Sequence, residues 1–184
     1  MSVDPSRLRI DLYPTEVLRT KADPIGPSDE VRAVASRMIE LMHGADGIGL
    51  AAPQVGLTWR LFVAHVPPPE RDAATTDPES WTHAPEVFLN PEIIDHSGDL
   101  VESEEGCLSL PGIQGDVLRP SRVRLRATTP DGETVERDAQ GLLARCWQHE
   151  IDHLDGVLIL DKMSQTSRSR NRTRIKQLEK NAAR

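Results

Sequence analysis

The sequence predicts an α+β fold, with antiparallel β-sheets around a central buried helix, an amphipathic helix near the N-terminus and a basic helix at the C-terminus. Three observations carry this reading. Short runs rich in Val, Ile, Leu and Thr alternate with turn sequences through the middle of the chain; "SDEVRAVASRMIELMH" has helical apolar spacing; and the segment ending at Asp155 is apolar on nearly every helical face. At 184 residues and 20.4 kDa the chain is long enough for one domain with a sizeable core.

The N-terminal "MSVDPSRLRIDLYPTEV" lacks the apolar core and cleavage site of a secretory signal, and no run approaches the ~18 apolar residues of a membrane span. The expectation is a cytoplasmic protein with no membrane partner. From Ser28, a fitting N-cap, apolar residues fall at Val31, Val34, Ala35, Met38, Leu41 and Met42, so this helix packs one face on the core. "ADGIGLAAPQVG" follows; its glycines and proline oppose a helix and suit backbone lying close to a ligand.

"LFVAHV" (61–66) reads as a strand and the proline-rich, aperiodic 67–85 as an exposed loop. Short strands are expected at "VFLN", "EIID", "DLVESE", "VRLRAT" and "ETVERD", the last two joined by the turn "TPDG". A helix then runs from Asp138 or Ala139 to Asp155, with Gly156 placed to stop it. Leu142, Cys146, His149 and His153 share one of its faces, while Leu143, Trp147, Ile151 and Leu154 make the neighbouring faces apolar.

The net charge of −7 is unevenly spread, because Lys162 to Arg184 holds eight Lys/Arg and one acid, Glu179. A basic tail on an acidic body points either to a nucleic-acid contact or to a plainly solvated terminal helix. The domain boundary is drawn there: a single catalytic domain over 1–163 and a helical tail over 164–184. Two cysteines, Cys107 and Cys146, are too few for a disulfide scaffold, so each is a buried small residue, a ligand or a nucleophile.

The chemistry concentrates in "CWQHEIDHLDG". His149 and His153, four residues apart on a helix, can converge on one ion, and Glu150 beside them can act on water. On a buried helix these polar groups need partners, which a metal supplies. A third protein ligand is required. Downstream, Asp155 is too close in sequence, Glu179 lies in the basic tail, and Asp161 is the other candidate. Cys146 lies about 10.5 Å of helix from His153 and reads as a buried pocket residue. Cys107, in "EEGCLSLPG", remains open between inert core and ligand, and with the helix it makes a Cys/His/His set credible.

"GIGLAAPQ" (47–54), "EGCLS" (105–109) and "QHEIDH" (148–153), in this order, resemble the three signature motifs of the peptide deformylases. The likeness runs from "LYPTEVLR" to "GVLILDKM", nearly the whole chain before the tail. It implies antiparallel sheets around a central metal-binding helix, and removal of the N-formyl group from the N-terminal methionine of newly synthesised polypeptides. It also implies one divalent ion, Fe(II) in cells with Ni, Co or Zn able to replace it, held by Cys107, His149 and His153 with a water. Glu150 is then the general acid/base, and the Gln54 side-chain amide with the Leu108 backbone N–H donates to the formyl oxygen. Ile48, Gly49, Leu142 and Cys146 would line the methionine pocket. Glu105, Arg119 and Asp152 read as salt-bridged support, and Gln114 stands where many relatives have arginine.

Two other readings stay open on sequence alone. One is a metallopeptidase using the same helix; the other is a ribosome- or RNA-binding factor with a degenerate site, resting on the basic tail. Intact Cys107, Glu150, His149 and His153 argue against degeneracy. The expected partners are a formyl-methionyl nascent peptide and, through the tail, the ribosome, with no DNA.

Overall fold

Five antiparallel strands in sequential order, β1 to β5, form the sheet that cradles the histidine-bearing helix. The computed structural model describes residues 3–68 and 77–182. Part of the Pro-rich stretch 67–85 expected as a loop, 69–76, lies outside these; within the rest, Pro78–Ser80 is a 3-10 turn. The strands are β1 (Gly49–Ala51), β2 (Leu61–Ala64), β3 (Glu86–Gly106), β4 (Gln114–Thr128) and β5 (Thr134–Gln140). The helices are α1 (Asp29–Gly44), α2 (Gly141–Leu154), α3 (Ile159–Lys162) and α4 (Gln165–Ala182). Among the described residues no helix is long and apolar enough to cross a membrane.

Helix α1 matches its sequence pattern. The Ser28 hydroxyl accepts from the Val31 N–H at 3.2 Å, a cap whose loss typically costs about 1 kcal/mol, and Val31, Val34, Ala35, Met38 and Met42 are buried. They meet Leu50, Leu61, Val63 and Leu89 in one cluster.

The three pieces expected at "VFLN", "EIID" and "DLVESE" are one long strand, β3. What reads as punctuation marks bulges rather than ends: its register against β4 shifts between Leu89 and Glu92, between Ile93 and Asp95, and between Ser97 and Leu100. Asn90 has φ 50°, and its side chain bridges the Ile25 N–H and carbonyl at 2.8 and 2.7 Å, so the first irregularity is tied to the N-terminal segment. Strand β4 begins at Gln114, earlier than "VRLRAT", because Gly115 and Pro120 conceal its first half. The β3–β4 hairpin therefore closes at residues 107–113, and Cys107 sits in that connection.

Helix α2 starts at Gly141, not at Asp138 or Ala139; those residues belong to β5 and pair with Arg124 and Val123 of β4. Leu143, Ala144, Trp147 and Leu154 anchor it in a cluster with Phe62, Phe88 and Leu125. Trp147 meets Phe88 edge-on at 5.4 Å, and Phe88 in turn meets Phe62 at 5.1 Å. Beyond α2, Gly156 adopts φ 72°, and a Cβ there would stand 2.6 Å from the Arg19 carbonyl oxygen, so only glycine turns the chain here.

The C-terminal α4 is docked rather than free. Leu178 is buried with Leu110, Ile113, Leu160 and Met163. The Ser167 hydroxyl donates to Asp116 at 2.7 Å, Asn171 Nδ2 donates to the Gln114 carbonyl at 2.6 Å, and the Tyr13 hydroxyl donates to Glu179 at 3.0 Å.

Candidate metal centre and active site

Helix α2 and the β3–β4 connection bring three soft or borderline donors together. Cys107 Sγ lies 3.2 Å from His153 Nε2, which lies 3.2 Å from His149 Nε2. All three donor atoms fall within 4.8 Å of one another. Two nitrogens bound to one tetrahedral ion at about 2.0–2.1 Å stand roughly 3.3 Å apart, so this spacing fits a divalent metal and the donor set suits iron, nickel, cobalt or zinc.

The imidazole of His149 is aimed by Glu105. Its Nδ1 meets Glu105 Oε2 at 3.1 Å, which leaves Nε2 facing Cys107 and His153. Glu105 is fixed by Arg119, which donates at 2.6 and 2.9 Å, and by Arg145 at 2.7 Å; Arg119 also reaches Asp152 at 2.8 Å. Burial alone would raise the Glu105 pKa, but hydrogen bonds from Arg119 and His149 hold it well below the carboxylate range. Breaking a buried pair of this kind typically costs about 3–5 kcal/mol, since one charge is left uncompensated. The two histidines titrate apart. Burial opposes charge on both, yet hydrogen bonds to Cys107 and Glu105 hold His149 well above its ordinary value, while His153 is driven well below by burial and the neighbouring His149.

Glu150 is buried beside these three donors, and its Oε2 has no hydrogen-bond partner among the described residues. Burial pushes its carboxyl up to about 7. It occupies that position because Gly49 has no side chain. A Cβ on Gly49 would run into the Glu150 carboxylate and stand 2.9 Å from Cys146 Sγ. Gln54 is held by its carbonyl, which accepts from the Ala51 N–H at 2.8 Å; its Nε2 then points to Ser109 Oγ at 3.3 Å and Cys107 Sγ at 3.6 Å. The Leu108 N–H has no acceptor among the described residues.

A cavity of about 640 Å³ opens onto these groups. Gln54, Cys107, Leu108, His149 and Glu150 line it, as do Ile48, Gly49, Leu142 and Cys146; His153 lies behind, 1% exposed. Leu142 is 53% exposed at the rim, and Cys146, whose thiol donates to the Ile48 carbonyl at 3.3 Å, is kept protonated by burial and by Glu150. Gln114 also reaches the cavity.

Sequence reasoning passed over Arg145 and Ser109. Arg145 lines the cavity and donates to Glu105 and to the Val117 and Val101 carbonyls at 2.9 and 2.7 Å. The signal was present, since Arg145 lies one turn before His149 on a helix otherwise rich in apolar residues. Nothing in "EGCLS" distinguishes the buried Ser109 as a partner for Gln54.

Comparison with known proteins gives one answer. The family model described as polypeptide deformylase matches residues 8–169. A peptide deformylase of Salinibacter ruber is 47% identical over 158 residues, covering 85% of this chain and 80% of that protein. One from Thermodesulfovibrio yellowstonii is 44% identical over 170 residues, covering 92% and 96%. Among solved structures, a plant peptide deformylase is 36% identical with a TM-score of 0.86, covering 99% of this chain and 94% of that one. The Thermotoga maritima enzyme is 38% identical with a TM-score of 0.75, covering 85% and 97%. With this match spanning most of the chain and a Cys/His/His cluster beside the cavity, the chain belongs to the polypeptide deformylase family.

Proposed function

We propose that this chain carries out the family's reaction, removal of the N-formyl group from nascent polypeptides, with Cys107, His149 and His153 as metal ligands and Glu150 as the proton carrier. The observation that carries this assignment is the convergence of the three donor atoms beside the buried Glu150 carboxyl. A divalent ion bound there supplies Lewis acidity toward the formyl oxygen and makes a water nucleophilic near neutral pH. Glu150, with one carboxyl oxygen unpartnered among the described residues and its pKa pushed up to about 7, is placed to accept a proton from water and hand it to the leaving amine. Gln54 Nε2 and the Leu108 N–H donate to the formyl oxygen as charge builds on it; one such donor typically contributes about 10²–10³-fold.

Ile48, Gly49, Leu142 and Cys146 receive the methionine side chain, in keeping with their mainly apolar lining of the cavity. Fe(II) is the ion we assign in cells on the likeness to the family; generic affinity favours zinc, so geometry and availability rather than affinity must set occupancy. Residues 1–163 form the catalytic unit, and α4 is an appended helix packed on it. Its outward face, with Arg168, Arg172 and Lys176 exposed, suits contact with ribosomal RNA in the cytoplasm.

The test is formate release from a formyl-Met peptide alongside an internally cleavable, unformylated peptide, using Fe(II)-loaded protein kept from air. Formate release with no internal cleavage supports the proposal. Internal cleavage without formate release makes the site a peptidase.

A further inference from the structure

We infer that His43 and His65 form a second transition-metal site on the surface, built from elements other than those of the Cys107 centre and suited to a borderline divalent ion such as Ni²⁺. His43 lies in the last turn of α1 and His65 directly after β2, and His43 Nε2 stands 3.0 Å from His65 Nδ1. Their rings are 5.2 Å apart between centroids and inclined at 64°. The pair His149 and His153 has nearly the same geometry, with nitrogens 3.2 Å apart, centroids 4.9 Å apart and an inclination of 70°. Two imidazoles, one from the end of α1 and one from the end of β2, thus bring one ring nitrogen each to 3.0 Å, a separation that a shared proton satisfies in the free protein and a shared ion in the loaded one.

The spacing also fits a shared ion. Nitrogens 3.0 Å apart, each about 2.0–2.1 Å from a shared metal, subtend roughly 90–100°. That angle is open to octahedral, square-planar or compressed tetrahedral centres, and two imidazoles suit nickel, copper and zinc alike, with Ni²⁺ the probe used below. His43 is exposed, so water can complete the coordination. Its place at the C-terminal end of α1, where backbone carbonyls give the negative end of the helix dipole, favours a cation.

Backbone bonds on both sides tie this pair to the wall of the catalytic cavity. The Asp46 N–H donates to the His43 carbonyl at 3.1 Å, the Gly47 N–H to the Met42 carbonyl at 2.9 Å, and the His65 N–H to the Ile48 carbonyl at 2.8 Å. Asp46, Gly47 and Ile48 all line the cavity. An ion held by His43 and His65 staples the end of α1 to the end of β2 and braces the segment between them. Binding to the folded state alone then raises thermal stability as ion concentration rises.

The experiment uses full-length, tag-free protein loaded with one equivalent of Ni²⁺ and freed of excess, titrated with further Ni²⁺ by calorimetry and equilibrium dialysis. Wild type takes a second equivalent and its melting temperature rises with added Ni²⁺. His43→Gln and His65→Gln each weaken the second equivalent by roughly tenfold or more, about 1.4 kcal/mol, while keeping the first equivalent and turnover on a formylated peptide. Repeated with Co²⁺, the first ion gives a thiolate charge-transfer band and the second adds none. Cys107→Ser keeps the surface equivalent, so loss of the catalytic-site reading and loss of this one are told apart. A wild type that takes only one equivalent, or a second equivalent that survives both histidine substitutions, overturns the inference.

Discussion

Glu150 and Gly49 depend on each other. The carboxylate fills the space that a side chain at position 49 would need, so Gly49→Ala displaces the group assigned to move protons. A shift of an ångström in such a group costs about 10²-fold in turnover, and metal content should be unchanged. Formate-release kinetics with metal analysis check this, and an alanine variant with wild-type turnover would show that Glu150 tolerates displacement. Glu150→Gln should bind metal normally yet lose about 10²–10⁴-fold in kcat, because shape is kept and only proton transfer is removed. Near-normal turnover in that variant would take the proton-carrying role from Glu150. Residue identity and spacing make His149, Glu150 and His153 legible in the sequence, since a helix brings positions four apart onto one face. The partner Cys107 is legible only through its motif, because the contact spans 46 residues of chain and no local pattern encodes it. Ser109 is illegible for the same reason, since its partner Gln54 lies on another element, whereas Arg145 carries a local signal in its place one turn before His149.

At the scale of elements, periodicity locates α1 and the body of α2, whose apolar residues decide their own burial. It fails for β3, where proline, glycine and Asn90 mark bulges in one long strand that closes on Cys107, and for the start of α2, where a strand continues to Gln140. Helix α4 is the least legible. Its composition is basic and polar, yet Ser167, Asn171 and Leu178 are buried against the closed end of the β3–β4 hairpin. Leu178→Ala should therefore destabilise the protein by about 2 kcal/mol in urea unfolding, the lower end for a buried leucine. An unchanged midpoint would mean that α4 detaches in solution. The opposite face makes a separate prediction. Replacing exposed Arg172 and Lys176 by Gln should weaken co-sedimentation with ribosomes, most clearly at low salt, while turnover on a small peptide stays the same. Salt-insensitive, undiminished association would make α4 a structural helix only.

At the scale of the whole molecule, two distant segments must meet for the site to exist. The sheet carries Cys107 at the turn of its longest hairpin, and the apolar packing of α2 against Phe62, Phe88 and Leu125 sets the depth at which His149 and His153 face it. Glu105, itself on β3, spans the two parts by bonding His149, Arg119 and Arg145. Cys146 lines the same cavity with its thiol held protonated, so both thiols of the chain lie at the site and only one is assigned to the metal. The most direct test of that assignment is metal stoichiometry and formate release, measured together on anaerobically Fe(II)-loaded wild type, Cys107→Ser and Cys146→Ser. Wild type should hold one ion and release formate, Cys146→Ser should keep both properties, and Cys107→Ser should lose most of each. Full metal content and activity in Cys107→Ser, with loss of both in Cys146→Ser, would contradict the account.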